Sequence, residues 1–189
     1  MLLPALKKAR DSAKAAQCLS NIRQVGMVAL LYVDDYGGYT PFRWAGSVAG
    51  SPTWYYYLYP YLGIVPPVPI GSVAQMHKVM VCPGQPQIAD TANQIGSLYS
   101  INGYISASWG TAPFRLADVK RPDMTVFFFD ADRDYSIPNG RPYSAGSYNH
   151  VGLWHNNRAN FCFVDGHAAS QKIDDMADSS TSKITFDPR

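Results

Sequence analysis

Apolar residues in the first 36 positions recur at steps of three and four, which is the period of an amphipathic helix. The residues that share one face of such a helix are Ala15, Cys18, Ile22, Val25, Ala29, Tyr32 and Tyr36. Gly37 and Gly38 follow, with Pro41 just beyond, and these residue types end helices. The pattern predicts one helix over residues 1–36, about 50 Å long, with a core-facing second half.

The start of this helix has a different character. Leu2, Leu3 and Leu6 form an apolar tip that no capping Ser, Thr, Asp or Asn precedes. Basic residues at positions 7–14 follow the tip and are interpreted as a solvated face, with contact to membrane headgroups as the alternative. A projecting, apolar-tipped half of a helix indicates that the natural chain continues upstream.

Shorter apolar segments predict the strands of a sheet at residues 78–82, 98–105 and 125–130. Apart from Thr125, residues 124–129 are all apolar, which is typical of a central buried strand. Asp165 and Gly166 separate two further strands, 159–164 and 167–173, and predict a hairpin with a type I′ turn. Alternation places Phe161 and Phe163 on one face of that hairpin and Cys162 on the other.

An aromatic segment at residues 54–63 has a short helical pattern. It is interpreted as an apolar plug against the main helix, with a stacking platform for sugars or peptides as the alternative. Residues 66–69 are rich in Pro and should form an extended loop.

The predicted fold class is α+β, with a long N-terminal helix packed across an antiparallel sheet. The 189 residues fit a single domain. Its expected parts are the helix 1–36, a globular sheet region 37–174 with loops, and a frayed tail 175–189.

Charge and motifs narrow the function classes. The chain has 16 basic and 14 acidic side chains, a balance that gives no electrostatic case for nucleic acid. It lacks an apolar run of 18 residues, so no membrane span is expected in this stretch of chain. Phosphate-binding, dinucleotide-binding and hydrolase motifs are also lacking, and a non-enzymatic protein without a cofactor is expected.

Alternating carboxylates at Asp130, Asp132 and Asp134 suggest oxygen ligands for calcium. An EF-hand loop starting there would need Gly and Glu where this chain has Tyr135 and Arg141, so only a generic calcium site is compatible. The favoured interpretation is a solvated acidic loop, and these residues are only weak calcium candidates.

A second polar group comprises His150, His155, Asp165 and His167. Imidazole and carboxylate ligands could hold zinc with an open coordination position, but Asp165 and His167 lie two apart across a tight turn and no pair has helical i, i+4 spacing, so no metal site is expected here. The alternative is a structural clasp in which His155 and Asp165 hydrogen-bond and pin the ends of the hairpin together.

The cysteines lie at positions 18, 82 and 162. Cys18 is on the predicted inward face of the helix, and a bridge to Cys82 would tie the helix to the sheet. Three buried free thiols are the other interpretation.

The overall composition bears on location. Abundant Tyr, Pro and Gly with sparse Lys favour a loop-rich extracytoplasmic domain.

Several ordered segments resemble one known family. His155 is followed, after nine residues, by Asp165 and Gly166, and residues 159–167 read ANFCFVDGH. Residues 2–10, 18–26 and 32–36 are similar to the stretch after that family's membrane segment. Between the two ends the fit extends to Trp54 with residues 58–63, to residues 82–83, to Tyr99 with residues 102–104, and to residues 121–123 leading to Asp130. The chain thus resembles pilin-like proteins of type IV pilus and type II secretion systems, in the prepilin-type H-x9-D-G subfamily.

The resemblance implies a pilin-like fold and a structural subunit of a pilus or pseudopilus filament in the cell envelope. Its partners would be copies of itself, other pilin-like subunits, the secretion machinery and, for the precursor, prepilin peptidase. Leu2, Leu3 and Leu6 would line the filament core. The family's leader and membrane segment are not in this chain, so it is expected to be a truncated version of an inner-membrane-anchored protein.

Two other function classes stand beside this one. A surface-anchored binding module would recognise a glycan or peptide through aromatic loops, and a metal-dependent enzyme is the third class.

Overall fold

The computed structural model describes residues 2–42, 54–64, 78–84, 99–107, 112–131, 151–172 and 184–188. The helices are α1 (Leu2–Asp35) and α2 (Trp54–Leu58), and short 3₁₀ turns lie at Pro60–Leu62, Lys78–Met80 and Leu116–Asp118. The strands are β1 (Tyr99–Ile101), β2 (Val126–Asp130), β3 (Arg158–Phe163) and β4 (Ala168–Lys172). Asp132, Asp134, His150 and the loop 66–69 lie outside the described residues.

The predicted N-terminal helix is confirmed, and its two halves differ in burial. From Leu3 to Lys14 every side chain is exposed, whereas the part from Cys18 to Val33 packs against the rest of the fold. Of the predicted inward face, Cys18, Ile22, Val25 and Ala29 are fully buried and Tyr32 nearly so, while Ala15 is half-buried. None of the described helices is long and apolar enough to span a membrane.

The C-terminal end of α1 explains one exception to the predicted face. The Gly38 N–H donates to the Val33 carbonyl at 2.8 Å, and Gly37 and Gly38 have φ of 66° and 88°. This left-handed ending turns the chain away from the helix axis. Tyr36 therefore lies outside the core, exposed and stacked on Tyr32 with ring centroids 4.2 Å apart.

The four strands form one antiparallel sheet in the order β1-β2-β3-β4. All five residues of β2 are buried, which confirms the predicted central strand. Phe161 and Phe163 lie in one apolar cluster and Cys162 in the other, as alternation predicted. The sheet therefore has two buried faces, one of them covered by α1.

The second face is covered by residues 184–188, which were expected to be a frayed tail. That expectation is wrong for this segment, because Ile184 and Phe186 are buried. The Phe186 ring meets Phe129 edge-on at 5.3 Å, and the Val126 N–H donates to the Thr185 carbonyl at 2.8 Å. A sheet with apolar side chains on both faces needs a second layer, and this segment supplies it.

The aromatic segment around α2 packs on α1, which confirms the predicted plug. Trp54 is buried against Phe128, with ring centroids 5.0 Å apart. The rings of Tyr57 and Tyr61 pack against the ring of Tyr32 in α1, with centroid distances of 6.0 and 6.2 Å. Because Trp54 is almost fully covered, it offers no face for stacking a sugar or peptide.

The β3–β4 hairpin is confirmed, but its predicted turn type is wrong. Gly166 has a φ of 89°, whereas Asp165 does not have a positive φ. The N–H of Gly166 donates to the Phe163 carbonyl at 2.9 Å, so the loop spans residues 164–167. A turn with positive φ at both central residues occurs instead at Asn156 and Asn157, with φ of 52° and 62°.

Two predicted strands also need correction. Residues 78–80 form a 3₁₀ turn, and the Asn21 side chain donates to the Val81 carbonyl at 3.0 Å, so this segment is fastened to α1 and not to the sheet. The strand predicted over 98–105 ends at Ile101. Asn102 ends it because its side-chain oxygen accepts the Tyr104 N–H at 2.9 Å and turns the chain.

We expect Asn102→Ala to lower the free energy of unfolding by about 3 kcal/mol, because it leaves buried carbonyls unpaired. The Asn102 side-chain amide is fully buried and donates to Val126 and Phe186 carbonyls at 2.8 and 2.9 Å. Chemical denaturation would measure the loss, with the exposed Gln17→Ala as control. A loss no larger than that of the control would contradict this role.

Candidate functional site

A disulfide between Cys18 and Cys82 lies where α1 meets the segment 78–84. Both residues are buried, and their Cα atoms are 4.9 Å apart. Cys18 is brought there by the inward face of α1. Cys82 is held by the turn that Asn21 fastens through the Val81 and Lys78 carbonyls.

His155 lies directly beside this disulfide. Its Nε2 is 3.3 Å from the Cys82 sulfur and 3.4 Å from Oδ2 of Asp130. The tight turn through Asn156 and Asn157 fixes the backbone of His155, which exchanges two hydrogen bonds with Arg158. A Cβ at Gly84 would come within 2.5 Å of the ring, so the absent side chain at Gly84 gives the imidazole its place.

Asp130 ends the central strand β2 and is completely buried. Its Oδ2 accepts the Asn160 backbone N–H at 2.7 Å, while Oδ1 has no hydrogen-bond partner within the described ranges. Burial raises the pKa of Asp130 above its usual range, and hydrogen bonding from His155 and Asn160 acts in the opposite direction.

We expect the difference in unfolding free energy between wild type and Asp130→Asn to change with pH. Because the folded-state pKa of Asp130 is raised, its stabilising contribution is complete below the unfolded pKa of about 4. This contribution is lost as the pH rises through the folded-state pKa. The free energy of unfolding of wild type should therefore increase relative to that of the variant as the pH falls. Chemical denaturation of both proteins at a series of pH values from below about 4 upward would measure this difference, with the exposed Asp123→Asn as control. A difference that does not vary with pH would contradict the assignment.

An open cavity of about 190 Å³ borders this cluster. Its lining residues are Asp11, Lys14, Gly84, Trp154, His155 and Asn156. The last exposed turns of α1 thus form one wall, and the His155 ring forms part of the floor. His155 thus belongs both to the buried cluster and to the lining of the cavity.

The predicted clasp between His155 and Asp165 is wrong. The two residues lie at opposite ends of β3, whose six residues span about 20 Å. Asp165 pairs instead with His167, with 2.6 Å between Oδ1 and Nδ1, on the partly exposed loop. Gly166 serves that loop through its positive φ.

The same separation argues against the zinc alternative, because His155 lies far from Asp165 and His167, and His150 lies outside the described residues. Of the weak calcium candidates, Asp130 lies with its Oδ2 3.4 Å from Nε2 of His155, a nitrogen neighbour that calcium does not favour, and Asp132 and Asp134 lie outside the described residues. In the described ranges, the one group of metal-ligating side chains that comes together is Cys18, Cys82 and His155.

The remaining predicted residues lie apart from this cluster. Leu3 and Leu6 are 82% and 68% exposed on the projecting half of α1. Cys162 is a buried free thiol, and burial raises its pKa to about 12, which makes it a poor nucleophile. Sequence reasoning missed the convergence of Asp130 with His155 and Cys82, since three separate segments contribute to it.

No protein-family model, curated protein or solved structure matches this chain.

Proposed function

We propose that this protein is a structural subunit of a pilin-like filament, either a type IV pilus or a type II secretion pseudopilus. The observation that carries the proposal is the division of α1. Its first half projects with every described side chain exposed, and its second half is built into the globular core.

A projecting helix of this kind gains little from its own domain. Most helical stability in proteins comes from packing an apolar face, and residues 3–14 have no such packing within the described fold. Leu3 and Leu6 expose apolar surface that the projecting helices of neighbouring copies would cover. Contacts repeated by a screw operation then produce an open filament.

The remaining parts of the proposal follow from the resemblance in sequence. The natural precursor would be anchored in the inner membrane by an apolar segment upstream of Leu2, and prepilin peptidase would remove its leader. The globular domain would face the periplasm or the cell exterior. A buried disulfide between Cys18 and Cys82 suits such an oxidising location.

The test is the natural protein's N-terminus together with its assembly. Mass spectrometry of the mature protein should find a cleaved junction, a Glu at the fifth position and about 20 apolar residues leading into Leu2. A mature protein that begins at Met1 would overturn the proposal.

Assembly can be tested with a matched pair of substitutions in the full-length protein. Leu6→Asp places a charge on the projecting half of α1, and Leu31→Asp places one on an exposed position of the packed half. We expect Leu6→Asp to abolish recovery of the subunit in sheared filaments while Leu31→Asp retains it. Equal recovery of both variants would contradict a filament core built from the projecting half.

A further inference from the structure

Three metal-ligating side chains from three separate segments come together at the buried disulfide, and the Asp130 carboxylate lies against one of them. The donor atoms of Cys18, Cys82 and His155 all lie within 4.8 Å of one another. Oδ2 of Asp130 is 3.4 Å from Nε2 of His155, which adds an oxygen to the two sulfurs and the nitrogen. All four residues are buried.

The geometry differs from that of a catalytic thiol relay. In a Cys–His–Asp relay the thiol and the carboxylate bind opposite nitrogens of the imidazole ring. Here the Cys82 sulfur and the Asp130 carboxylate both approach the same nitrogen, Nε2. Nε2 is thus the ring atom that faces the other potential ligands, so an ion bound among them would be ligated through this nitrogen.

The donor set fits zinc. Zinc binds four ligands in tetrahedral geometry and accepts thiolate sulfur, imidazole nitrogen and carboxylate oxygen. Oδ2 of Asp130 faces the cluster through its 3.4 Å contact with Nε2 of His155, and Oδ1 has no hydrogen-bond partner in the described ranges although the residue is completely buried. Calcium and magnesium would be disfavoured by the sulfur atoms.

We propose that this cluster has a second state, in which the reduced protein binds one Zn²⁺ through Cys18, Cys82 and His155, with Asp130 as the fourth ligand. The disulfide and the metal exclude each other, because each occupies the same two sulfur atoms. In either state the link between α1 and the segment 78–84 is kept.

Conversion of the disulfide state to the zinc-bound state requires a two-electron reductant. In a cell, a dithiol gives two electrons and two protons to the disulfide and becomes a disulfide itself, leaving thiols at Cys18 and Cys82. Zinc then binds the two thiolates, and their two protons pass to solvent. The open cavity lined by Asp11, Lys14 and His155 lies on the solvent side of the imidazole, which is the ligand nearest to an arriving ion.

The experiment uses cobalt as a spectroscopic probe for the zinc site, in a Cys162→Ala background that removes the remaining thiol. A water-soluble phosphine reduces the disulfide under inert gas; water supplies the oxygen of the phosphine oxide and the two protons. We expect the reduced protein to bind one equivalent of Co²⁺ with thiolate-to-cobalt charge-transfer absorption and tetrahedral d–d bands. Zn²⁺ should displace it, and the oxidised protein should show neither feature.

Two histidine variants separate the proposed site from binding by any pair of thiols. His155→Gln should weaken cobalt binding by about tenfold or more. His167→Gln, on the partly exposed loop at the other end of β3, should bind as the parent does. Equal affinity in both variants would overturn the proposal, as would a folded, reduced parent that takes up no cobalt.

The proposal also predicts what happens if the protein unfolds when its disulfide is reduced. If the reduced protein loses its near-ultraviolet circular dichroism, Zn²⁺ should restore that signal in the parent and in His167→Gln, and not in His155→Gln. Failure of Zn²⁺ to restore it in the parent would overturn the proposal.

Discussion

Replacing both Cys18 and Cys82 with alanine should lower the free energy of unfolding by about 4 kcal/mol, on the loop-entropy treatment of a cross-link. The two residues are 64 positions apart, so the disulfide restricts a large part of the unfolded chain. It also fixes the segment 78–84 to α1, where Asn21 adds two hydrogen bonds to backbone carbonyls. Urea denaturation of both proteins would measure the loss.

The matched control is Cys162→Ala, which removes a buried sulfur that takes no part in the disulfide. The decrease in its free energy of unfolding measures the loss of packing alone. If the double alanine variant is destabilised by no more than twice the Cys162→Ala value, the cross-link adds nothing beyond packing and the prediction is wrong.

The parts of the fold that depend on one-sided burial were predictable from the sequence. The helical face from Cys18 to Ala29 follows from apolar spacing, since α1 packs on one side only. The continuously apolar β2 follows from its position between two strands and two apolar layers. In both cases the position of a residue in a local sequence pattern determines whether it is buried, so the pattern alone predicts the buried residues.

The turns were harder to predict because side-chain hydrogen bonds compete with backbone preferences. Asp165 accepts the His167 N–H on its own side chain at 3.0 Å, and its backbone N–H donates to the Pro122 carbonyl at 3.2 Å. These contacts favour a four-residue loop in which Gly166 alone has a positive φ. The pair of asparagines before β3 takes the tighter turn, because Asn also tolerates that conformation.

The candidate site could not be derived from sequence spacing. The interval between His155 and Asp165 suggested a contact, yet it measures the length of β3 and places the two residues at its opposite ends. His155 meets Asp130 and Cys82 because three segments pack together, and no local period records that packing. The buried segment 184–188 was missed because its two apolar residues, Ile184 and Phe186, are too few to give a strand pattern.

Gly26→Ala should lower the free energy of unfolding by about 3 kcal/mol, because the added methyl group overpacks the contact between α1 and β3. Gly26 is buried, and a Cβ built there would overlap the sulfur of Cys162. In an exposed helix the same change stabilises by about 1 kcal/mol, so the sign of the effect distinguishes overpacking from helix propensity. A Gly26→Ala variant as stable as wild type would show that α1 can move away from the sheet at little cost.

The partner substitution makes this prediction specific. With alanine at position 162 the nearest remaining atom is the Cβ of that residue, 3.4 Å from the new methyl group, which is an ordinary contact. The double variant Gly26→Ala, Cys162→Ala should therefore be more stable than Gly26→Ala alone, although Cys162→Ala by itself destabilises. Equilibrium denaturation of wild type, both single variants and the double variant gives the coupling energy. If the two single effects simply add, close packing of Gly26 against Cys162 is not what requires glycine at this point of α1.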